Sequence, residues 1–141
     1  MIRMLTKKKH QILVFLSMVL TLTLSPNAYA HIQSNCNQLT VCKKSIFTSS
    51  DSFVQSEAIY LKAGQAFDFG FNNYGSKHNI GYGIYRYPDY TLVYGPKLVS
   101  ARVKSDWNSY GQAPTDGYYY IRAQCGGTGQ TGCNGYAWIA K

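Results

Sequence analysis

Apolar and polar residues alternate with a period of two over much of the chain. Residues 66–71 place Phe67, Phe69 and Phe71 on one side and Asp68 and Gly70 on the other. Residues 79–87 set Ile80, Tyr82 and Ile84 against Gly81, Gly83, Tyr85 and Tyr87, and residues 98–103 set Val99, Ala101 and Val103 against Ser100 and Arg102. Strict alternation predicts half-buried β-strands. Further strands are expected over residues 45–50, 53–61, 91–94, 118–124 and 136–140, which are rich in β-branched and aromatic side chains. Between them lie turn signals: Lys62-Ala63-Gly64, Asn72-Asn73-Tyr74-Gly75-Ser76, Pro88-Asp89 and Gly95-Pro96. Residues 105–116, with Trp107, Tyr110 and Pro114, are expected to form a longer loop. Gly81 and Gly83 inside a strand predict a bulge or the close approach of another backbone. No long stretch carries the 3.6-residue period of a helix. The expected fold is therefore all-β: an antiparallel β-sandwich of about eight short strands. Its core is expected at Phe67, Phe69, Ile84, Val99, Val103, Tyr119, Ile121 and Ile139.

The C-terminal end is the richest stretch. Two strand-like runs flank a Gly-rich segment bounded by Cys125 and Cys133. Taking the cysteines as cross-strand partners predicts a disulfide-stapled hairpin. In that register Ala123 faces Gly135, Ile121 faces Ala137 and Tyr119 faces Ile139 on an apolar side. The other side carries Tyr120 opposite Trp138 and Arg122 opposite Tyr136, with Tyr118 beside them. Such a face has two readings. Exposed rings with a cation suit stacking on sugars, whereas a central strand buries both of its faces. The buried reading is preferred for Tyr120 and Trp138.

The first thirty residues follow another pattern. Lys7-Lys8-Lys9 precede an apolar run over residues 12–24, and Ala28-Tyr29-Ala30 is a small-x-small cleavage site. This is the layout of a signal peptide, with the mature chain expected to start at His31. The apolar run is too short for a confident membrane span, and no lipoprotein cysteine follows it, so no membrane anchor is expected. Residues 31–50 are expected as an N-terminal arm and residues 51–141 as the sandwich domain.

The leader also changes the charge. The whole chain is +8, but Arg3, Lys7, Lys8 and Lys9 fall before the cut. The ten remaining Lys and Arg against six acids leave +4, a mildly basic surface compatible with anionic polymers. No basic run interleaved with aromatics survives, so nucleic acid is not expected as a partner. The four cysteines, an even count in a small exported chain, read as disulfides. Three connectivities are possible. Cys36–Cys42 and Cys125–Cys133 are favoured because each closes a short local loop, and the C-x5-C and C-x7-C spacings do not suit zinc. The thirteen tyrosines fit a thin fold in which many rings are half buried.

Motifs for catalysis are sparse. Gly127-Thr128-Gly129-Gln130-Thr131-Gly132 matches G-x-G-x-x-G, but a cysteine and a strand follow where a dinucleotide site needs a helix. There is no G-x-S-x-G and no H-E-x-x-H. Glu57 is the one glutamate, and Asp68, Asp89, Asp106 and Asp116 are scattered and read equally well as turn residues. No enzyme activity and no cofactor are expected. One exception is weighed. A free amine and ring at His31 together with His78 could form a three-nitrogen copper site; the plainer reading is a frayed terminus and a loop residue.

The order of motifs resembles the bacterial pre-peptidase C-terminal domains. Residues 59–69, with Ala63-Gly64 between two strands, are similar to their opening. Residues 84–93, with Pro88-Asp89 at the turn, are similar to their middle strand pair, and Ala113-Pro114-Thr115-Asp116-Gly117 leading into Tyr118-Tyr119-Tyr120-Ile121-Arg122 is similar to their close. The resemblance covers roughly residues 51–141 and is a pattern of turns and apolar positions. It implies a jelly-roll-like sandwich and a non-catalytic appendage that binds matrix polymers or assists secretion. The chain departs from it in standing without an enzyme, in its cysteine-closed C-terminal segment, and in lacking an acidic cluster for calcium.

The expected function is a secreted, monomeric, non-catalytic binding module acting at the cell surface or on extracellular polysaccharide or another matrix polymer. The expected ligand-binding residues are Tyr118, Tyr120, Arg122, Tyr136 and Trp138, with Trp107 in its loop. Two alternatives remain: a small secreted toxin or bacteriocin-like protein, and a histidine-brace copper protein using His31 and His78.

Overall fold

The computed structural model describes Cys36 and residues 41–141. The expected leader, His31 and most of the N-terminal arm lie outside the described residues. The described residues form nine strands: β1 (Cys42–Ile46), β2 (Phe53–Gln55), β3 (Ile59–Leu61), β4 (Ala66–Tyr74), β5 (Ile80–Tyr87), β6 (Thr91–Val99), β7 (Lys104–Gln112), β8 (Gly117–Cys125) and β9 (Gly135–Ala140). Among the described residues there is no helix, and so none long and apolar enough to cross a membrane.

The strands make two antiparallel sheets. One has the order β1-β9-β4-β7; the other has the order β2-β8-β5-β6, with β3 also on β8. Strands β2 and β3 thus act as one interrupted edge strand. At the interruption Ser56 N–H donates to the Ile121 carbonyl (3.0 Å) and Ile121 N–H donates to Ser56 Oγ (3.2 Å). The order is that of a jelly roll, in which sequence neighbours mostly cross between sheets.

The inner faces meet as the alternation predicts. Phe67, Phe69, Phe71, Ala137 and Ile139 come from one sheet, and Ile80, Tyr82, Ile84, Tyr119, Ile121 and Ala123 from the other. The Phe67 ring stacks on Tyr119 across the core (centroids 6.3 Å), and Phe69 and Phe71 both reach Tyr82. Each large side chain removed from water contributes roughly 1.5–3 kcal/mol before entropy is counted. Burial raises the Tyr82 hydroxyl pKa, partly offset by a hydrogen bond with Ser109. Seven of the eight expected core residues are buried. Val103 is not: it is 51% exposed in the turn between β6 and β7, where the strand pattern has already ended.

Several boundaries differ from expectation: β1 lies at Cys42–Ile46 rather than over residues 45–50, the strand expected over 53–61 is split into β2 and β3, and the one expected over 98–103 ends with β6 at Val99. β4 continues through Asn72 and Asn73, which read as turn formers, because both amides find partners. Asn73 Nδ2 donates to the Ser100 and Val103 carbonyls, and its Oδ1 accepts from the N–H groups of Gly75 and Ser76 and from Ser76 Oγ. β6 runs straight through Gly95-Pro96, where Gly95 takes φ +100° and the register with β5 shifts at Gly83, the bulge the glycines predicted. Residues 104–112 form β7 rather than a loop. An edge strand exposes most of its side chains, so its sequence lacks alternation.

The disulfides Cys36–Cys42 and Cys125–Cys133 are both present, and no described cysteine is free. Full pairing fits an oxidising compartment. The C-terminal hairpin is not present. β8 pairs with β5, β2 and β3, whereas β9 pairs with β1 and β4. Tyr119 is registered with Arg86 and Ile59, not with Ile139. The disulfide closes an arch between the two sheets, with its Cα atoms 5.6 Å apart. The cause is the shared inward apolar set of both strands. Ile121 and Ile139 enter the core from opposite sides, which satisfies the same alternation as lateral pairing would.

Candidate functional site

Because β8 and β9 belong to different sheets, the expected aromatic face is divided between the two outsides of the sandwich. Tyr136 and Trp138 lie on the outer face of β9, opposite Asn72 and Gly70 of β4. Trp138 is buried there. A Cβ at Gly70 would meet its indole ring at 2.9 Å, so the ring lies on the glycine. Its Nε1–H donates to Asn72 Oδ1 (2.9 Å), and Asn72 donates in turn to Asp106 (2.5 Å). Trp138 is therefore structural. Tyr136 is half buried beside Lys44 and Tyr74, and its hydroxyl pKa is raised by burial and then by Tyr74. Trp107 is on edge strand β7, in the same sheet as Tyr136 and Trp138 with β4 between them; it is 47% exposed, and its Nε1–H is donated to Ser105 Oγ.

Tyr118, Tyr120 and Arg122 share the outer face of β8 with Gln124. Tyr120 is nearly fully buried, stacked on Tyr85 of β5 (5.7 Å, 19°) and capped edge-on by Tyr90, whose φ of +56° folds it back over the sheet. Burial is also the first cause of its raised hydroxyl pKa. Arg122 places its guanidinium over the Phe53 ring at 4.6 Å. Tyr118 is exposed and meets Tyr60 edge-on. At that end of the sheet Tyr87 and Tyr90 add two more exposed rings.

Towards the opposite end the same face opens into a groove of about 710 Å³. Its floor is Gly81 and Gly83 of β5, which carry no side chain to fill the space between β8 and β6. Arg122 and Gln124 of β8 form one side and Pro96 and Leu98 of β6 the other; Tyr85, on β5 itself, bounds one end, and Lys77, His78, Asn79 and Gln130 close the other. Gly83 is fixed by packing: a Cβ there would come within 2.8 Å of Leu92 and of the Tyr94 carbonyl. Gly81 is not so crowded, with Leu98 at 3.8 Å as its nearest neighbour.

The end wall is held from behind. The buried Asn73 amide fixes Ser76, whose Oγ donates to Asn73 Oδ1 (2.7 Å) and accepts from Asn134 N–H (2.8 Å). Lys77 N–H donates to Gly132, Gly126 N–H to the Asn79 carbonyl, and Ala101 N–H to Asn79 Oδ1. Gln130 Oε1 accepts from Gly127 N–H inside the disulfide-closed loop. The Gly-rich segment is thus a wall of the groove rather than a hairpin tip.

The groove suits recognition by stacking and planar hydrogen bonds: one tyrosine ring, a guanidinium, amides and an imidazole converge on it. No carboxylate lines it. His78 is in its wall. His31 lies outside the described residues, and among those described no group of three or more His, Cys, Asp or Glu is placed to hold a metal. Of the lining residues, the sequence names Arg122 as ligand-binding and His78 for a copper site, with Tyr118 nearby; Tyr85, Gln124, Asn79, Gln130 and Lys77 are not legible in it. The two glycines were the available signal.

No family model and no curated protein matches the chain. Solved structures similar to it include the apo form of the carbohydrate-binding module CBM1 of BiXyn10A, with 15% identity over 71% of this chain and 73% of that one at a TM-score of 0.40. Another is CBM35 from Paenibacillus barcinonensis, with 16% identity over 67% of this chain and 74% of that one at a TM-score of 0.38.

Proposed function

We propose that the chain is a secreted, non-catalytic module that binds an extracellular polysaccharide or related matrix polymer along the outer face of the β2-β8-β5-β6 sheet. The observation that carries this reading is the groove over Gly81 and Gly83. It is open, has a tyrosine ring held flat by its stack on Tyr120, and is lined by planar polar side chains. A pyranose offers an apolar face for the ring and hydroxyls for the amides. The exposed Tyr60, Tyr118, Tyr87 and Tyr90 continue the surface beyond the groove, so an extended polymer has further rings to meet.

Retention on insoluble cell wall, chitin and cellulose tests the reading. Wild type is expected to bind at least one of them. Tyr85→Ala should weaken that binding by about tenfold or more, since a lost stacking ring costs on the order of 1–3 kcal/mol. Retention unchanged in a folded Tyr85→Ala variant would remove the groove from the function. Growth inhibition of neighbouring cells with no polymer retained would favour the toxin alternative.

A further inference from the structure

The distribution of charge says more about the ligand. The sequence has six carboxylates, and every one lies away from the groove. Asp51 accepts from Thr48, Glu57 is paired with Lys43, and Asp89 is paired with Arg86. Asp106 accepts from Asn72 and Asp116 from Ala63 N–H. Asp68 is on β4, in the other sheet. The groove holds two cations, Lys77 and Arg122. Among the described residues neither has a carboxylate at ion-pair distance, in contrast to Lys43 and Arg86. Arg122 is steadied by the Phe53 ring, which orients the guanidinium without neutralising it. The stem of Lys77 runs against Gly132, where a Cβ would touch its Cδ at 3.0 Å, so the disulfide-closed loop positions it.

A mildly basic surface alone would scatter its cations. Here two unneutralised cations stand in one concave site that also carries a stacking ring and three amides. We propose that the groove takes an anionic glycan, a chain whose sugar or polyol units carry carboxylate or phosphate, with Arg122 and Lys77 recognising the anion and Tyr85 the ring. This rests on the binding-module reading above and names its ligand class. Arg122 is the stronger determinant, because a guanidinium matches either anion with two parallel hydrogen bonds.

Calorimetry or affinity electrophoresis with three soluble polymers tests it: polygalacturonate, poly(glycerol phosphate) and a neutral galactan. Wild type is expected to bind one of the two anionic polymers about tenfold or more tightly over the galactan, and which one it binds identifies the group. Binding should weaken as salt is raised from about 50 to 200 mM. Arg122→Gln and Lys77→Gln should each lose most of it, whereas Lys62→Gln, at an exposed turn outside the groove, should not. Lys77 is exposed, so its variant reports even if loss of the Phe53 contact disturbs the fold of Arg122→Gln. Equal binding of the galactan, or a Lys62→Gln loss as large as that of Lys77→Gln, would overturn the inference and leave the binding-module reading intact. Binding to none of the three would overturn it as well, and retention on the insoluble polymers with dependence on Tyr85 would then decide separately whether that reading stands.

Discussion

On the outer face of one sheet, Gly70 of β4 leaves a trough, and the Trp138 indole lies in it with its N–H satisfied by Asn72. On the outer face of the other sheet, Gly81 and Gly83 of β5 leave a second trough; Leu92 covers part of Gly83, and the space over Gly81 stays open. Both devices begin with a glycine in an interior strand. In the first, the chain supplies its own aromatic ring and gains stability from it. In the second, Leu92 and the edge of the Tyr85 ring lie against Gly83, Tyr85 and Tyr120 stack on each other, and Gly81 is left uncovered. The difference teaches how a ring that fills a glycine trough differs from one that borders it: Trp138 sits over Gly70, whereas Tyr85 stands beside the open space over Gly81.

The comparison breaks most visibly at Trp138. Trp138→Ala is expected to destabilise the protein by about 3–5 kcal/mol, since it empties a closed site and orphans the Asn72 amide oxygen. Denaturant unfolding measures this, and a loss below about 1 kcal/mol would mean that the indole is not the filler it looks to be. Opening the Cys125–Cys133 bridge with Cys125→Ala/Cys133→Ala should cost about 2–3 kcal/mol and weaken polymer binding as well, because the loop it closes walls the groove. The Cys36–Cys42 bridge, away from the groove, should leave binding unchanged when removed.

The glycines sharpen the contrast. Gly70→Ala is expected to cost about 1–3 kcal/mol by overpacking against the Trp138 ring and the Trp107 carbonyl. Gly81→Val should change stability by less than about 1 kcal/mol, since its Cβ meets an ordinary contact and valine suits a strand, yet it should block binding by filling the groove. Equal destabilisation at both sites would show the open trough to be as tightly packed as the filled one.

The smallest effect is that of pH. Asp89 has its pKa depressed, chiefly by its hydrogen bond with Arg86, and Glu57 likewise by Lys43. Depressed carboxylates contribute stability that is fully present above the usual carboxylate range and is lost as pH falls below it. Both pairs are exposed and therefore weak. Melting temperature is expected to be flat from neutral pH to about pH 5 and to fall modestly below pH 4, with a shallower fall in Asp89→Asn.

Part of the site could be read from the residues. Gly81 and Gly83 flagged a close approach, and Arg122 and Tyr118 were placed on the correct face of β8. The remainder is hidden because a period of two does not say which strand lies beside β8. With β9 beside it, Trp138 and Tyr136 joined the face; with β5 beside it, Tyr85 and the glycines do. Asn79, Gln130 and Lys77 come to the groove from two loops far apart in sequence, brought together through Asn73, Ser76 and Asn134.

The sequence by itself determined which side of each strand faces inward, at Phe67, Phe69, Ile84, Tyr119, Ile121 and Ile139, because burial needs only a local period of two. It also favoured the disulfide partners, since the chain between Cys125 and Cys133 is short. The tertiary structure alone decided which strands pair. Alternation is identical for two strands lying side by side and for two strands facing each other across a core, so Ile121 and Ile139 carry no mark of which arrangement holds. Only the packing of all nine strands selects the arch over the hairpin, and with it the face on which the groove forms.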